Sequence, residues 1–175
     1  MNIRKITLMG ALMSLLLVQE QLLTFLPNIQ FSTLLILIFV SHFSFKQSLT
    51  LIFVYVVLDS LWTGAINPFY MVPMFVGWSV IPVAYHTLLR RTQNPRVLAF
   101  FGLVMASLYG FVFMPFAVFQ TGVSMSVYLV ADIPFQILMA LSNFFTILWL
   151  YEPLNARFAG ALQGYDLTLH LEALR

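Results

Sequence analysis

Six apolar stretches, at 6–26, 31–45, 48–64, 69–89, 97–120 and 126–151, occupy most of this chain, and every lysine and arginine falls outside them. A helix needs about 20 residues to cross a hydrocarbon core of ~30 Å. In lipid every backbone polar group must find its partner inside the protein, which leaves helices or closed barrels as spanning structures. Stretches of this length therefore predict an all-α membrane protein with six transmembrane helices. The second and third are short on that count, which suits one folded-back or partly re-entrant pair, but Ser44, Lys46, Gln47 and Ser48 mark a polar turn between them, and two helices are expected. Composition excludes the soluble alternative: 61% of residues are hydrophobic and 8% charged, against about 25% charged in a soluble domain. A chain of 175 residues has too small an interior to hide so much apolar surface from water.

Turn-forming residues punctuate the stretches: Pro27-Asn28, Asn67-Pro68, Gln93-Asn94-Pro95 and Glu152-Pro153. Each disfavours helix continuation. Pro73, Pro82, Pro115 and Pro134 lie within spans, where each frees a carbonyl and favours a bend. Arg4 and Lys5 precede the first span, Lys46 follows the second, Arg90, Arg91 and Arg96 follow the fourth, and Arg157 and Arg175 follow the sixth. The connectors at 27–30, 65–68 and 121–125 carry no basic residue. With an even number of spans all the positive charge falls on one side, so both termini are expected in the cytoplasm. Val18-Gln19-Glu20-Gln21 offers no signal-peptide cleavage site, so the first helix is expected to stay. These readings divide the chain into a six-helix transmembrane domain over 1–157 and a cytoplasmic tail, or interfacial helix, over 158–175.

Three acids lie inside spans. Glu20, Asp59 and Asp132 each fall five or six residues from the non-basic end, about 8–9 Å deep at the helical rise. Charge in hydrocarbon is costly, so such residues usually face a bundle interior or a watery cavity. Tyr55, Asp59 and Trp62 recur on one helical face, as do Asp132, Gln136 and Asn143. Asn67 and Tyr70 stand at the mouth of the fourth span, with Trp78 two turns deeper. Aromatic walls with a few converging carboxylates and amides suit a small ringed ligand that forms hydrogen bonds. The expected substrate-binding set is Asp59, Trp62, Asn67, Tyr70, Trp78, Asp132, Gln136 and Asn143. Structural alternatives stand beside it: an interfacial aromatic belt for Tyr70, Trp62 and Trp78, interhelical hydrogen bonding for Asp59, Asp132 and Asn143, and simple reach to the interface for Glu20.

Catalytic chemistry has no foothold in the sequence. His42, His86 and His170 are scattered far from the acids, cysteine is absent, and no Gly-rich Lys-Ser/Thr phosphate loop occurs. Neither an enzyme nor a resident cofactor or metal is expected. Gly10, Ala11 and Ser14 place small residues on the first helix at a spacing that lets another helix approach closely.

Three stretches resemble the substrate-binding S components of energy-coupling factor transporters, the ABC-type importers of vitamins and other micronutrients. They are Phe25 to Ile29, the passage Tyr55-Val56-Val57-Leu58-Asp59-Ser60-Leu61-Trp62-Thr63-Gly64, and Ile133-Pro134-Phe135-Gln136 with Asn143-Phe144 and Glu152-Pro153-Leu154. The resemblance implies a bundle in a bacterial plasma membrane that captures a vitamin, cobalamin among them, or a nucleoside from outside. It further implies a transmembrane coupling subunit that meets Gly10, Ala11 and Ser14, and two ATPase subunits. A second resemblance is to the rod-shape-determining membrane proteins of the bacterial cell-wall machinery, through Leu58-Asp59 and Thr63-Gly64. It implies a scaffold without a ligand.

Overall fold

The computed structural model describes residues 3–64 and 66–164, and these form six α-helices. They are α1 (Ile3–Leu22), α2 (Ser32–His42), α3 (Phe45–Thr63), α4 (Pro68–Ala84), α5 (Pro95–Thr121) and α6 (Met125–Gly164); a π-helical turn, Tyr85–Leu89, extends α4. No strand occurs among the described residues. Four helical segments are long and apolar enough to cross a membrane: α3, α4 with its π turn, α5 and α6. Large apolar side chains such as Phe53, Phe100, Phe111, Ile137 and Trp149 face outward. Such a surface is compatible with a multi-pass membrane protein.

Local chemistry explains the turns. Asn67 and Asn94 each precede a proline and solve a helix start identically. Their Oδ1 atoms accept from the backbone N–H of Phe69 and of Arg96, at 3.0 Å in both cases, while the proline takes the first helical position, where no N–H is needed. Gly64 and Gly122 close α3 and α5 with φ of 70°, a conformation glycine adopts without a Cβ clash. Asn28 takes φ of 57°, which asparagine tolerates better than most residues. Its amide donates to the Phe135 carbonyl at 3.2 Å and ties the 23–31 connector to α6.

The second span is not as expected. The stretch at 31–45 yields an 11-residue helix, about 16 Å long at the helical rise and therefore half a hydrocarbon core. Its residues from Ser32 to Val40 are all buried. A helix apolar on every face belongs inside a bundle, and α2 packs against α1, α3, α4 and α6. Its start is held by Gln19 of α1, whose Oε1 accepts from Phe31 N at 2.9 Å and whose Nε2 donates to Ser32 Oγ at 2.6 Å.

The sixth span is longer than expected. Glu152-Pro153 does not end it, and α6 runs for 40 residues, about 60 Å. Packing outweighs the lost hydrogen bond at Pro153. Tyr151 and Leu162 are buried, the Phe158 ring lies 5.6 Å from Phe39 and 5.2 Å from His42, and Asn155 Oδ1 lies 2.8 Å from His42 Nε2. Residues 158–164 thus continue α6, and the rest of the expected tail lies outside the described residues. The helices also run through Pro73, Pro82, Pro115 and Pro134.

Candidate functional site

Tyr55 and Asp59 lie one helical turn apart on α3 and are both buried. Each pairs with a neighbouring helix. The Tyr55 hydroxyl donates to the Glu20 carboxylate of α1, and the Tyr70 hydroxyl of α4 donates to Asp59 Oδ2 at 3.2 Å. Each carboxylate thus has one phenol donor, supplied by a different helix.

Opposite the acids, α4 and α5 supply a continuous run of rings. Trp78 and Tyr109 have centroids 4.8 Å apart, Tyr109 and Phe113 are also 4.8 Å apart, and Phe113 meets Tyr70 edge-on at 6.0 Å. Gly77 makes room for this run, since a Cβ there would stand 2.7 Å from the Tyr109 ring. Trp78 is 1% exposed, and its indole N–H has no hydrogen-bond partner. Glu20, Tyr70, Tyr109 and Phe113 are only half-buried. The basic residues Lys46, Arg90, Arg91 and Arg96 sit at the opposite helix ends.

The expected set divides. Asp59, Tyr70 and Trp78 come together, joined by Glu20. Asp132 and Gln136 do not join them: Gln136 Nε2 donates to Asp132 Oδ2 at 2.6 Å, and the Gln136 amide lies over Gly110 of α5. Tyr109 and Gly110 are consecutive, so their directions differ by ~100° around α5; the first faces α4 and the second faces α6. Helix α5 therefore separates the two groups. Asp132 and Gln136 instead line a shallow groove of ≈ 170 Å³ with Ser107, Phe111, Leu129 and Ile133.

Asn143 is likewise elsewhere, fully buried at the α5–α6 seam, where its Nδ2 donates to the Gly102 carbonyl at 3.0 Å. Asn67 is occupied as the cap of α4. Trp62 is 71% exposed. The periodicity places it with Tyr55, but Leu61 to Gly64 are all exposed, so this last turn of α3 projects past its neighbours and the shared face has nothing to pack on.

No protein family, curated protein or solved structure matches this chain.

Sequence reasoning missed Tyr109, Phe113 and Gln19. Gln19 carried a usable signal, an amide beside an acid deep in an apolar run; Tyr109 carried only its place beside a glycine. His42 contacts Asn155 and Phe158, and His86 meets Phe45 and Tyr85. Among the described residues no three His, Asp or Glu side chains cluster as metal ligands. On α1, Gly10, Ala11 and Ser14 are exposed, Gly10 has open space where a Cβ would stand, and the Ser14 hydroxyl bonds the Gly10 carbonyl within the helix at 2.9 Å. That leaves a smooth, small-residue strip on the outside of the bundle.

Proposed function

We propose that this chain is a membrane-embedded substrate-binding subunit that captures a ringed micronutrient, a vitamin or similar molecule, for uptake powered by other subunits. The observation that carries this reading is the pairing of a buried carboxylate, Asp59, and a half-buried one, Glu20, with a contiguous run of rings on α4 and α5. Carboxylates in such surroundings are expensive to keep, and aromatic faces with a few fixed polar groups are what a small ringed ligand needs. The resemblance to S components of energy-coupling factor transporters supports the same role. On this reading the chain lies in a bacterial plasma membrane with both termini cytoplasmic, and it works with a coupling subunit and two ATPases.

Mass spectrometry of small molecules carried through purification tests the binding role. A stoichiometric, ringed, water-soluble compound is the expected finding. Recovery of lipid alone, with no thermal shift across vitamins and nucleosides, would count against it.

The small-residue strip of α1 is the docking face in this reading. Replacing Gly10 and Ser14 together by Leu adds bulk to that outward strip, which runs toward the opposite helix end from the acids. Ligand binding by the isolated chain should persist while uptake by vesicles holding the complete assembly falls at least tenfold. Loss of binding with partner association intact would make the strip part of the pocket.

A scaffold role in cell-wall synthesis is the second reading. One observation favours it: the α6 amides are already used within the protein, Gln136 on Asp132 and Asn143 on Gly102. It predicts no bound small molecule.

A further inference from the structure

On one side the bundle is closed by an irregular segment and not by a helix. Helix α1 packs on α2 and α3, α6 packs on α2 and α5, and α2 begins only at Ser32. On its way to Ser32 the connector 23–31 bridges α1 and α6. Phe31 N donates to Gln19 Oε1 of α1 at 2.9 Å, while on α6 Asn28 Nδ2 donates to the Phe135 carbonyl at 3.2 Å and Gln30 N donates to Ser142 Oγ at 3.3 Å. Phe69 of α4 stacks on Phe119 of α5 with centroids 5.2 Å apart, so the start of α4, the end of α5 and the start of α6 just beyond it stand level. Counted from Met125, the first residue of α6, Phe135 lies about 15 Å and Ser142 about 25 Å along the helix. The connector thus descends far into the depth of a hydrocarbon core of ~30 Å.

At that depth its backbone is not helical. The N–H groups of Leu23, Thr24, Leu26 and Ile29 close isolated turns onto nearby carbonyls, in place of the unbroken ladder of a spanning helix, and Thr24, Phe25, Pro27 and Asn28 are exposed. Lipid offers no hydrogen bonds, so irregular backbone at membrane depth is tolerated only where protein buries it or where it lines a water-filled cavity. The exposure of those four residues rules out burial by this chain. Side-chain chemistry agrees with water, since Gln21, Thr24, Asn28 and Gln30 set amides and a hydroxyl along the segment and Ser142 meets it from α6. Glu20 stands at its upper end: the Glu20 carbonyl accepts from Leu23 N at 3.2 Å, and the residue is half-buried.

We infer that the outer half of the space between α1 and α6 is a water-filled vestibule floored by the connector 23–31, through which a water-soluble ligand reaches Glu20 without crossing lipid. This rests on the reading of the chain as membrane-embedded, and it deepens the binding role by giving the ligand a way in.

The chain contains no cysteine, so single introduced cysteines report on water directly: the thiolate is the reacting form, and apolar surroundings suppress it. Sealed, right-side-out bacterial membrane vesicles holding the full chain are treated with MTSET, a trimethylammonium thiol reagent that does not cross membranes. Phe53→Cys is the lipid control. Phe53 is 56% exposed on α3 and lies about 15 Å from the end of that helix at Thr63, the depth of Phe135. Gln93→Cys, exposed beside the basic residues, marks the other side of the membrane. Asn28→Cys and Thr24→Cys should react about a hundredfold faster than Phe53→Cys, Glu20→Cys should fall between them, and Gln93→Cys should react only once the vesicles are permeabilised. Thr24 makes only a local bond to the Gln21 carbonyl, so its variant carries the reading should Asn28→Cys fold poorly. Asn28→Cys and Thr24→Cys reacting no faster than Phe53→Cys would overturn the vestibule and leave the membrane reading standing. Phe53→Cys reacting as fast as Asn28→Cys would overturn the membrane reading and the vestibule with it. Glu20→Cys as inert as Phe53→Cys, beside a reactive Asn28→Cys, would overturn the ligand path. Asn28→Cys reacting only after permeabilisation would overturn the outward opening.

Discussion

Leu37→Asp should prevent this protein from folding. Leu37 lies at the middle of α2 with 0% exposure, enclosed by four other helices, so no direction exists in which a carboxylate could reach water. Removing a buried leucine costs about 2–5 kcal/mol, and an aspartate at the centre of a membrane helix adds roughly 2.5–3.5 kcal/mol even on the lenient insertion scale. The sum rivals the whole stability of a typical domain, about 5–15 kcal/mol. The yield of monodisperse protein in mild detergent, and its melting temperature where any is recovered, make the measurement. Leu88→Asp is the control: Leu88 is 80% exposed beside Arg90 and Arg91, and its substitution should be tolerated. Equal yields for the two variants would show that α2 is not the enclosed centre of the bundle.

Why α2 is short was not legible in its composition. The run from Ser32 to His42 is as apolar as a spanning helix, and hydropathy reports only that a segment avoids water. It does not distinguish lipid on the outside from other helices on all sides. What decides the matter is a hydrogen bond across helices: Gln19, one turn from the end of α1, caps the start of α2 part-way along the bundle. The opposite error at α6 has a related cause. Glu152-Pro153 is a sound local stop signal, yet Tyr151, Asn155, Phe158 and Leu162 fall on a face that packs or bonds inward, and that burial carries the helix onward. Helix starts were the legible part, because Asn67-Pro68 and Asn94-Pro95 act through atoms only two residues away.

The cluster of acids and rings was legible to the extent that it lies on α3 and α4. Asp59, Tyr70 and Trp78 follow from acids and aromatics at helical spacing. Periodicity orders residues within one helix, however, and says nothing about which helix stands between two others. Asp132 and Gln136 share a face on α6 just as the sequence requires, but α5 intervenes, and the residue that shows it is Gly110 beneath the Gln136 amide. Trp62 stands apart for another reason, since the last turn of α3 from Leu61 to Gly64 is exposed all round. The aromatic wall needed Tyr109 and Phe113 of α5, which in sequence are two rings among many.

Trp78 shows how burial changes the meaning of a substitution. Read from sequence as the wall of an open pocket, it invites Trp78→Ala as a test of binding alone. At 1% exposure it is also core, and truncation should cost about 3–5 kcal/mol, with further loss as the Tyr109 ring loses its neighbour. Reduced binding by that variant would therefore reveal nothing about contact with a ligand. Trp78→Phe separates the two roles: a ring remains against Tyr109, and the lost N–H has no partner in the free protein, so most of the stability should be retained. If the indole N–H meets a ligand acceptor, affinity should still fall by about tenfold or less, the worth of one neutral hydrogen bond. Melting curves of the two variants, together with affinity for whichever compound co-purifies, make the comparison. Trp78→Ala melting with the wild type would remove Trp78 from the core. Trp78→Phe binding with undiminished affinity would leave the N–H without a function and confine the residue to packing.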